Sequence, residues 1–451
     1  MEERFAALAG RLAGAGVPVA VLDVEATGGD FLRDRVIEVA YLRFENGRIR
    51  QAAHLVQPEC AVPPFIAKLT GIDDDLLADA PVFADLAQAL AADLRGCLLV
   101  AHNSRFDYTL LKQSFGQAGV AFATGALCTV QLSKVLFPNE KKHNLDALAA
   151  RLGVAVPLSR HRAMTDVLVL AECLQQLAAV RPHWWETAQT LLNPPMLPQG
   201  LPADLRAQVA DLPDGWAAVW WRGGGADSVR VCRHAYAETV AALAYGGVCP
   251  ESVAAFPASG HVHALAEKGR LLYEHGVAAA PSAARRWAVV FETDGQGVCR
   301  ARTVLRTNGL FAHPPCGSFA NREAAAKALH NWARHQRLCP ALLGIDGTAA
   351  RTAESVGQEA VAQHNRAVWA AVPHFAAEPV WEIGETDAFS GFPYVSVCWR
   401  GAVQVADNVW YADAEVAEAV RDALKNRRHQ VRERVRLSGA WHEALAALPK
   451  R

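Results

Sequence analysis

The sequence predicts an α/β protein: a mixed sheet flanked by helices in the first 180 residues, then a separate α+β region. Three observations carry that prediction. The apolar runs Val19–Leu22 and Cys97–Ala101 are too brief for helices and read as strands buried on both faces. Asn46-Gly47, a two-residue hairpin signal, joins two β-rich stretches. Prolines then gather at 182, 194, 195, 198, 202 and 213, marking a linker in a 451-residue chain that is too long for one ordinary core.

Taken in order, Phe5, Leu8 and Leu12 fall at helical spacing and predict a short amphipathic helix against the outside of the sheet. The strand running into Asp23 follows, then Val36–Phe44 and its hairpin partner Arg48–Gln57. Pro63 and Pro64 break the chain, and Leu69-Thr70-Gly71 closes a loop. A helix over Phe83–Leu94 precedes the strand Cys97–Ala101. Leu127–Phe137 and Asn144–Leu152 read as two more helices, the second with Asn144 as its N-cap. Gln131–Phe137 is faintly similar to a sliding-clamp peptide, but inside a helix its apolar residues serve as core. A last apolar helix runs from near Asp166 to about Val180.

Net charge is −1, so there is no bulk polybasic signal, and contact with nucleic acid or membrane would need a local patch. The ten cysteines form no CxxC pair, which excludes a zinc ribbon and fits reduced thiols in a cytoplasmic protein. The N-terminus lacks a signal-peptide core, and no run of about eighteen apolar residues predicts a membrane span.

Several polar residues carry two readings each. Asp23 and Glu25 sit two apart on a strand and so project from one face. They are either two solvated acids or half of a metal site, because neighbouring carboxylates repel unless a cation lies between them. Ser104 to Asp107 has capping-box spacing, so Asp107 either satisfies its own helix start or aims a third acid at the same sheet end. Phe106 is either core or a base-stacking ring. His161 and Asp166 are five apart, about 140° round a helix, so they converge only if His161 sits in the loop before the helix.

Jointly these residues occur in the order of one family. Asp23-x-Glu25 with Thr27-Gly28, His102-Asn103-x-x-Phe106-Asp107 and His161-x-x-x-x-Asp166 resemble the DEDDh exonucleases, most of all the DnaQ-like proofreading subunit or domain of bacterial DNA polymerase III. Leu69-Thr70-Gly71-Ile72 and Asn144-Leu145-Asp146-Ala147-Leu148 extend the resemblance, and Ala26, where the family often has threonine, departs from it. The resemblance implies an RNase H-like fold and 3′–5′ hydrolysis of DNA through two ions of Mg²⁺ or Mn²⁺. It implies Asp23, Glu25, Asp107 and Asp166 as metal ligands and His161 as the base. Thr27 and Gly28 would lie near the terminal 3′ hydroxyl, with His102, Asn103 and Phe106 at the last bases. The implied partner is DNA with a free 3′ end, single-stranded or frayed, in proofreading or repair. A polymerase or sliding clamp is a further partner that the family brings with it, and no membrane is expected. RNA or short oligonucleotides as substrate, or a catalytically weak DNA-binding accessory protein, are the alternatives.

The expected divisions are an exonuclease domain over 1–180, a linker over 181–214, a domain over 215–280 and an accessory α+β region over 281–451. Strands at Gly215–Arg222 and Ser228–Cys232 around Gly223-Gly224-Gly225 predict a hairpin, followed by helices over Ala237–Ala244 and Leu265–His275. This stretch resembles a degenerate GIY-YIG segment like that of UvrC, without either triplet, and Glu274 is either its metal-binding glutamate or an exposed helix position. Trp287–Thr293 reads as a strand and Asn321–Gln336 as an amphipathic helix. The tryptophans between 216 and 410 are either core or a base-stacking surface. A helix from Ala414 to about Arg436 ends in a basic run, which is either solvated or a contact to phosphate.

Overall fold

A computed structural model describes residues 1–31, 33–157, 161–198, 200–247, 249–279, 286–306, 308–311, 314–345, 353–375, 380–388, 390–407, 409–425 and 430–434. The chain divides into two compact units, Met1–Ala226 with Cys232–Pro257 and Asp387–Phe392, and Asp227–Val231 with Ala258–Thr386 and Pro393–Arg451.

The first unit opens with α1 (Ala6–Leu12) and continues through β1 (Val19–Ala26), β2 (Val36–Glu45) and β3 (Arg48–Leu55). Asn46 and Gly47 both adopt positive φ, as a tight β2–β3 turn of this hand requires. Next come α2 (Pro64–Thr70), α3 (Asp74–Leu77), α4 (Phe83–Leu94), β4 (Leu98–Ala101), α5 (Ser104–Gln117) and β5 (Gly125–Cys128). The five strands form one sheet in the order β3-β2-β1-β4-β5, with β1–β2 and β2–β3 antiparallel and β1–β4 and β4–β5 parallel. It is the mixed sheet that the sequence predicts.

Helices cover both faces. The sequence continues through α6 (Thr129–Leu136), α7 (Leu145–Arg151), α8 (Ala163–Val180) and α9 (Trp184–Thr190). Val19 and Val21 of β1 face a core with α1, α7, α8 and α9, while Ala20, Leu22 and Val24 face a second core with α4 and α5. This alternation explains why the strand has no polar residue before Asp23. Helix α8 is long and apolar enough to cross a membrane, but half of it is buried, in the first of these cores.

Three expectations need correction. Pro63 and Pro64 do not end structure: Pro64 takes the first position of α2, where its missing N–H costs nothing. Residues 125–128 are strand, so the predicted helix starts at Thr129; parallel pairing with Leu98–Ala101 decides it. Leu132 and Phe137 of the clamp-like stretch are core, as expected. The proline-rich stretch 181–214 holds α9 and α10 (Ala203–Ala210), and Trp184 and Trp185 are buried in the first core.

Beyond α10, the first unit holds β6 (Ala217–Arg222). Strand β7 (Ser228–Cys232) stands where the second hairpin strand is predicted. The unit then holds α11 (Ala235–Tyr245) and β8 (Ser252–Pro257), which pairs antiparallel with β6. Leu205, Val209, Trp221, Tyr236 and Val240 form their core.

The second unit carries α12 (His261–His275), β9 (Trp287–Thr293), β10 (Cys299–Leu305), β11 (Gly309–Phe311), β12 (Cys316–Phe319) and α13 (Arg322–His335). Then follow α14 (Pro340–Leu343), α15 (Ala353–Val356), α16 (Gln358–Ala371), β13 (Val380–Thr386), β14 (Pro393–Trp399), β15 (Ala402–Ala406), β16 (Val409–Ala412), α17 (Ala414–Lys425) and β17 (Gln430–Arg434). Two sheets result, β10-β9-β12 and β11-β16-β15-β14-β13-β17. The predicted C-terminal helix therefore stops at Lys425. Gln430–Arg434 of the basic run is a strand on β13, and the remainder of that run lies outside the described residues. Trp332, Trp399 and Trp410 are buried, which favours the packing reading for these three. Glu274 is an ordinary exposed helix position, paired with Arg270 one turn back.

Candidate active site

Glu25, His161 and Asp166 meet near the end of β1. Asp23 and Glu25 lie on the β1 face that carries Val19 and Val21 toward α8. Helix α8 begins at Ala163, with Arg162 at its N-cap, so Asp166 falls in the first turn. His161 precedes the helix with φ of 62°, a left-handed conformation uncommon outside glycine. It is therefore in the loop, the one placement that lets it meet Asp166. Ligand atoms of Glu25, His161 and Asp166 all lie within 4.8 Å of one another.

Asp107 arrives from the opposite layer. Its helix α5 starts after Asn103, whose φ of 80° turns the chain sharply out of β4. Asp107 does not close a capping box: Oδ1 instead accepts the Val24 N–H at 3.0 Å, which ties the acid to β1 between Asp23 and Glu25. Burial pushes its carboxyl up to about 8, backbone N–H groups of Asp107 and Val24 pull it down, and the Glu25 charge raises it again. An acid so placed ionises at neutral pH only if positive charge comes near.

The donor set fits a hard divalent cation. Carboxylate oxygens with one imidazole and no thiolate suit Mg²⁺ or Mn²⁺ rather than a soft metal. Asp107, raised chiefly by burial and further by the Glu25 charge, is an acid whose ionised form such an ion would favour.

The Thr27 hydroxyl donates to Asp34 Oδ1 at 2.9 Å and accepts the Arg35 N–H at 2.9 Å, so it holds the turn after β1. A Cβ on Gly28 would lie 2.5 Å from Asp34, which explains a glycine there. The Thr129 hydroxyl donates to the Ala101 carbonyl and so accepts from His102 Nδ1 at 3.0 Å, orienting that ring. Phe106 is half-buried, its ring 6.1 Å from Phe31, and packs against the second core.

Sequence reasoning missed Glu38 and Arg162. Glu38 pairs with Glu25 in the β1–β2 register and is almost fully buried. Its carboxylate accepts from Arg162 Nε at 3.2 Å, Arg162 Nη2 at 2.9 Å and the Ala163 N–H at 2.8 Å. The available signal was a lone acid inside the apolar run Val36-Ile37-Glu38-Val39.

Residues 20–174 match a family model described as exonuclease. A Staphylococcus saprophyticus protein named 3′-5′ exonuclease DinG is 32% identical over 157 residues, 34% of this chain and 17% of that protein. A DNA polymerase III PolC-type from Caldanaerobacter subterraneus subsp. tengcongensis is 33% identical over 153 residues, 34% of this chain and 11% of that one. The chain thus spans under a fifth of the length of these relatives. Among solved structures, exonuclease X in complex with 5′ overhanging duplex DNA is similar at 25% identity, covering 36% of this chain and 93% of the other, with a TM-score of 0.30.

Proposed function

Because residues 20–174 match a family model described as exonuclease, we propose that the chain is a metal-dependent 3′–5′ exonuclease that hydrolyses DNA from a free 3′ end. The observation that carries this reading is the meeting, within 4.8 Å, of Glu25 with His161 and Asp166, which follow it by 136 and 141 residues. Asp23, Glu25, Asp107 and Asp166 would hold two ions of Mg²⁺ or Mn²⁺. Such ions, when bound, activate the attacking water and stabilise charge on the leaving 3′ oxygen.

The chain's own residues do the rest. His161, at the rim in a loop, takes the proton from the attacking water, a task suited to an imidazole. The backbone tie from Asp107 to Val24 fixes one acid relative to the strand that bears two others, so the cage is set before substrate arrives. Phe106 beside Phe31 offers a ring edge to a terminal base, and Asn103 turns the chain there. A setting in proofreading or repair is supported by the PolC-type relative, a polymerase by name. A cytoplasmic setting is in keeping with ten cysteines that form no CxxC pair. The region beyond residue 258 is read as an accessory unit.

Incubating 5′-labelled single-stranded and mismatched duplex DNA with Mg²⁺ tests the reading. A ladder shortening from the 3′ end is expected. No shortening with either Mg²⁺ or Mn²⁺ would overturn it, and faster loss of matched RNA would reassign the substrate.

A further inference from the structure

Glu38 lies beside the acid cage yet has no oxygen to spare. Its side chain is 4% exposed, and its two oxygens take three donors: the Arg162 fork and the Ala163 N–H. Ala163 is the first residue of α8, so its N–H has no partner within the helix. Arg162 at the N-cap offers no side-chain cap of its own. A carboxylate from β2, 125 positions earlier in the chain, therefore caps the helix that bears Asp166.

The same clamp borders His161. That residue holds a strained backbone immediately before Arg162, and such conformations persist only where surrounding contacts fix them. Glu38 stands opposite Glu25 in the strand register, so one β2 side chain references both β1 and the start of α8. The guanidinium also lies in the field of Glu25, balancing a fifth acid that would otherwise add repulsion to the cage.

We infer that Glu38, acting through Arg162, is a positioning residue that sets His161 and Asp166 against Glu25. The inference rests on the exonuclease reading for its catalytic consequence, and on the hydrogen bonds alone for its effect on the metal cage.

The test compares full-length wild type with Glu38→Gln and Arg162→Lys. Glu38→Gln keeps shape but loses the charge; Arg162→Lys keeps charge but loses the fork. Calorimetric titration with Mn²⁺ in the absence of DNA is one readout, and steady-state cleavage of labelled single-stranded DNA at saturating Mg²⁺ is the other. Both variants are expected to bind Mn²⁺ about tenfold more weakly and to lose about 10- to 100-fold in kcat. KM should stay within about twofold, because no group that touches DNA has changed. Unchanged Mn²⁺ affinity and kcat in both variants would overturn the inference. So would a kcat loss that merely follows the folded fraction measured by circular dichroism. If Glu38→Gln does not fold, Arg162→Lys decides, since its side chain is 39% exposed. A wild type that binds Mn²⁺ but cleaves nothing defeats the exonuclease reading alone, and the titration still decides the clamp. A wild type that binds no Mn²⁺ defeats both.

Discussion

Asp107 shows most directly how a single residue is tuned by its place. Its charge is penalised by burial and by Glu25, and the backbone donor from β1 offsets only part of that penalty. Asp107→Asn can keep that donor's partner while removing the charge. We expect cleavage to fall by about 100-fold or more, with a melting temperature in metal-free buffer no lower than wild type. Asp93, on α4, is the opposite case. Burial pushes it up, but hydrogen bonds from Arg50 and Tyr41 outweigh burial and hold the carboxyl below its usual range. The folded state therefore takes up this proton less readily than the unfolded chain, so the stabilisation is complete above the ordinary carboxylate value. It is lost as pH falls through the depressed one. Asp93→Asn should cost about 1.5 kcal/mol at pH 7 in urea titrations, and the gap from wild type should narrow below pH 3.8. At this scale, spacing alone put Asp23 and Glu25 on one face. Glu38 was opaque, because its partners are 124 and 125 residues away and nothing in a strand pattern names them.

Elements were legible where their cause is local. Helix α4 begins and ends as predicted, and α7 is capped by Asn144 Oδ1 accepting the Ala147 N–H. Leu127 and Cys128 were misread as helix because they suit either helix or strand, and only the neighbouring β4 chooses. Prolines between 181 and 214 hid α9 for a different reason: Trp184 and Trp185 gain more by burial than the flanking breaks cost. Trp184→Ala should destabilise the first unit by about 3–5 kcal/mol in urea titrations, where an exposed linker residue would change little. Asp214 makes a comparable tie near the start of β6. It accepts from Tyr108 Oη at 3.0 Å and pairs with Lys112 Nζ at 3.1 Å, both on the helix that carries Asp107. Asp214→Ala removes the acceptor of the half-buried Tyr108 hydroxyl and the partner of Lys112, and should cost about 2 kcal/mol by the same measurement.

Across the molecule, the family match ends at residue 174, whereas the first compact unit runs on through Ala226 and takes in Cys232–Pro257. A fragment ending at Val180 is therefore expected to unfold at lower urea than one ending at Pro257, followed by far-ultraviolet ellipticity. Equal midpoints would show that α9, α10 and the β6–β8 pair lend the first sheet nothing. The architecture of the second unit was the least legible. Its larger sheet takes both edge strands, β11 and β17, from outside the β13–β16 run, and β17 replaced a predicted helix by pairing with β13. The edge-to-face pair formed by Trp184 and Trp185, 5.5 Å between ring centres, has a practical use. No other tryptophan precedes Trp216, so a piece of the chain ending before that point would fluoresce from this pair alone. Blue-shifted emission would report α9 seated beneath the sheet, and a move to the red would time its release, with no dye attached.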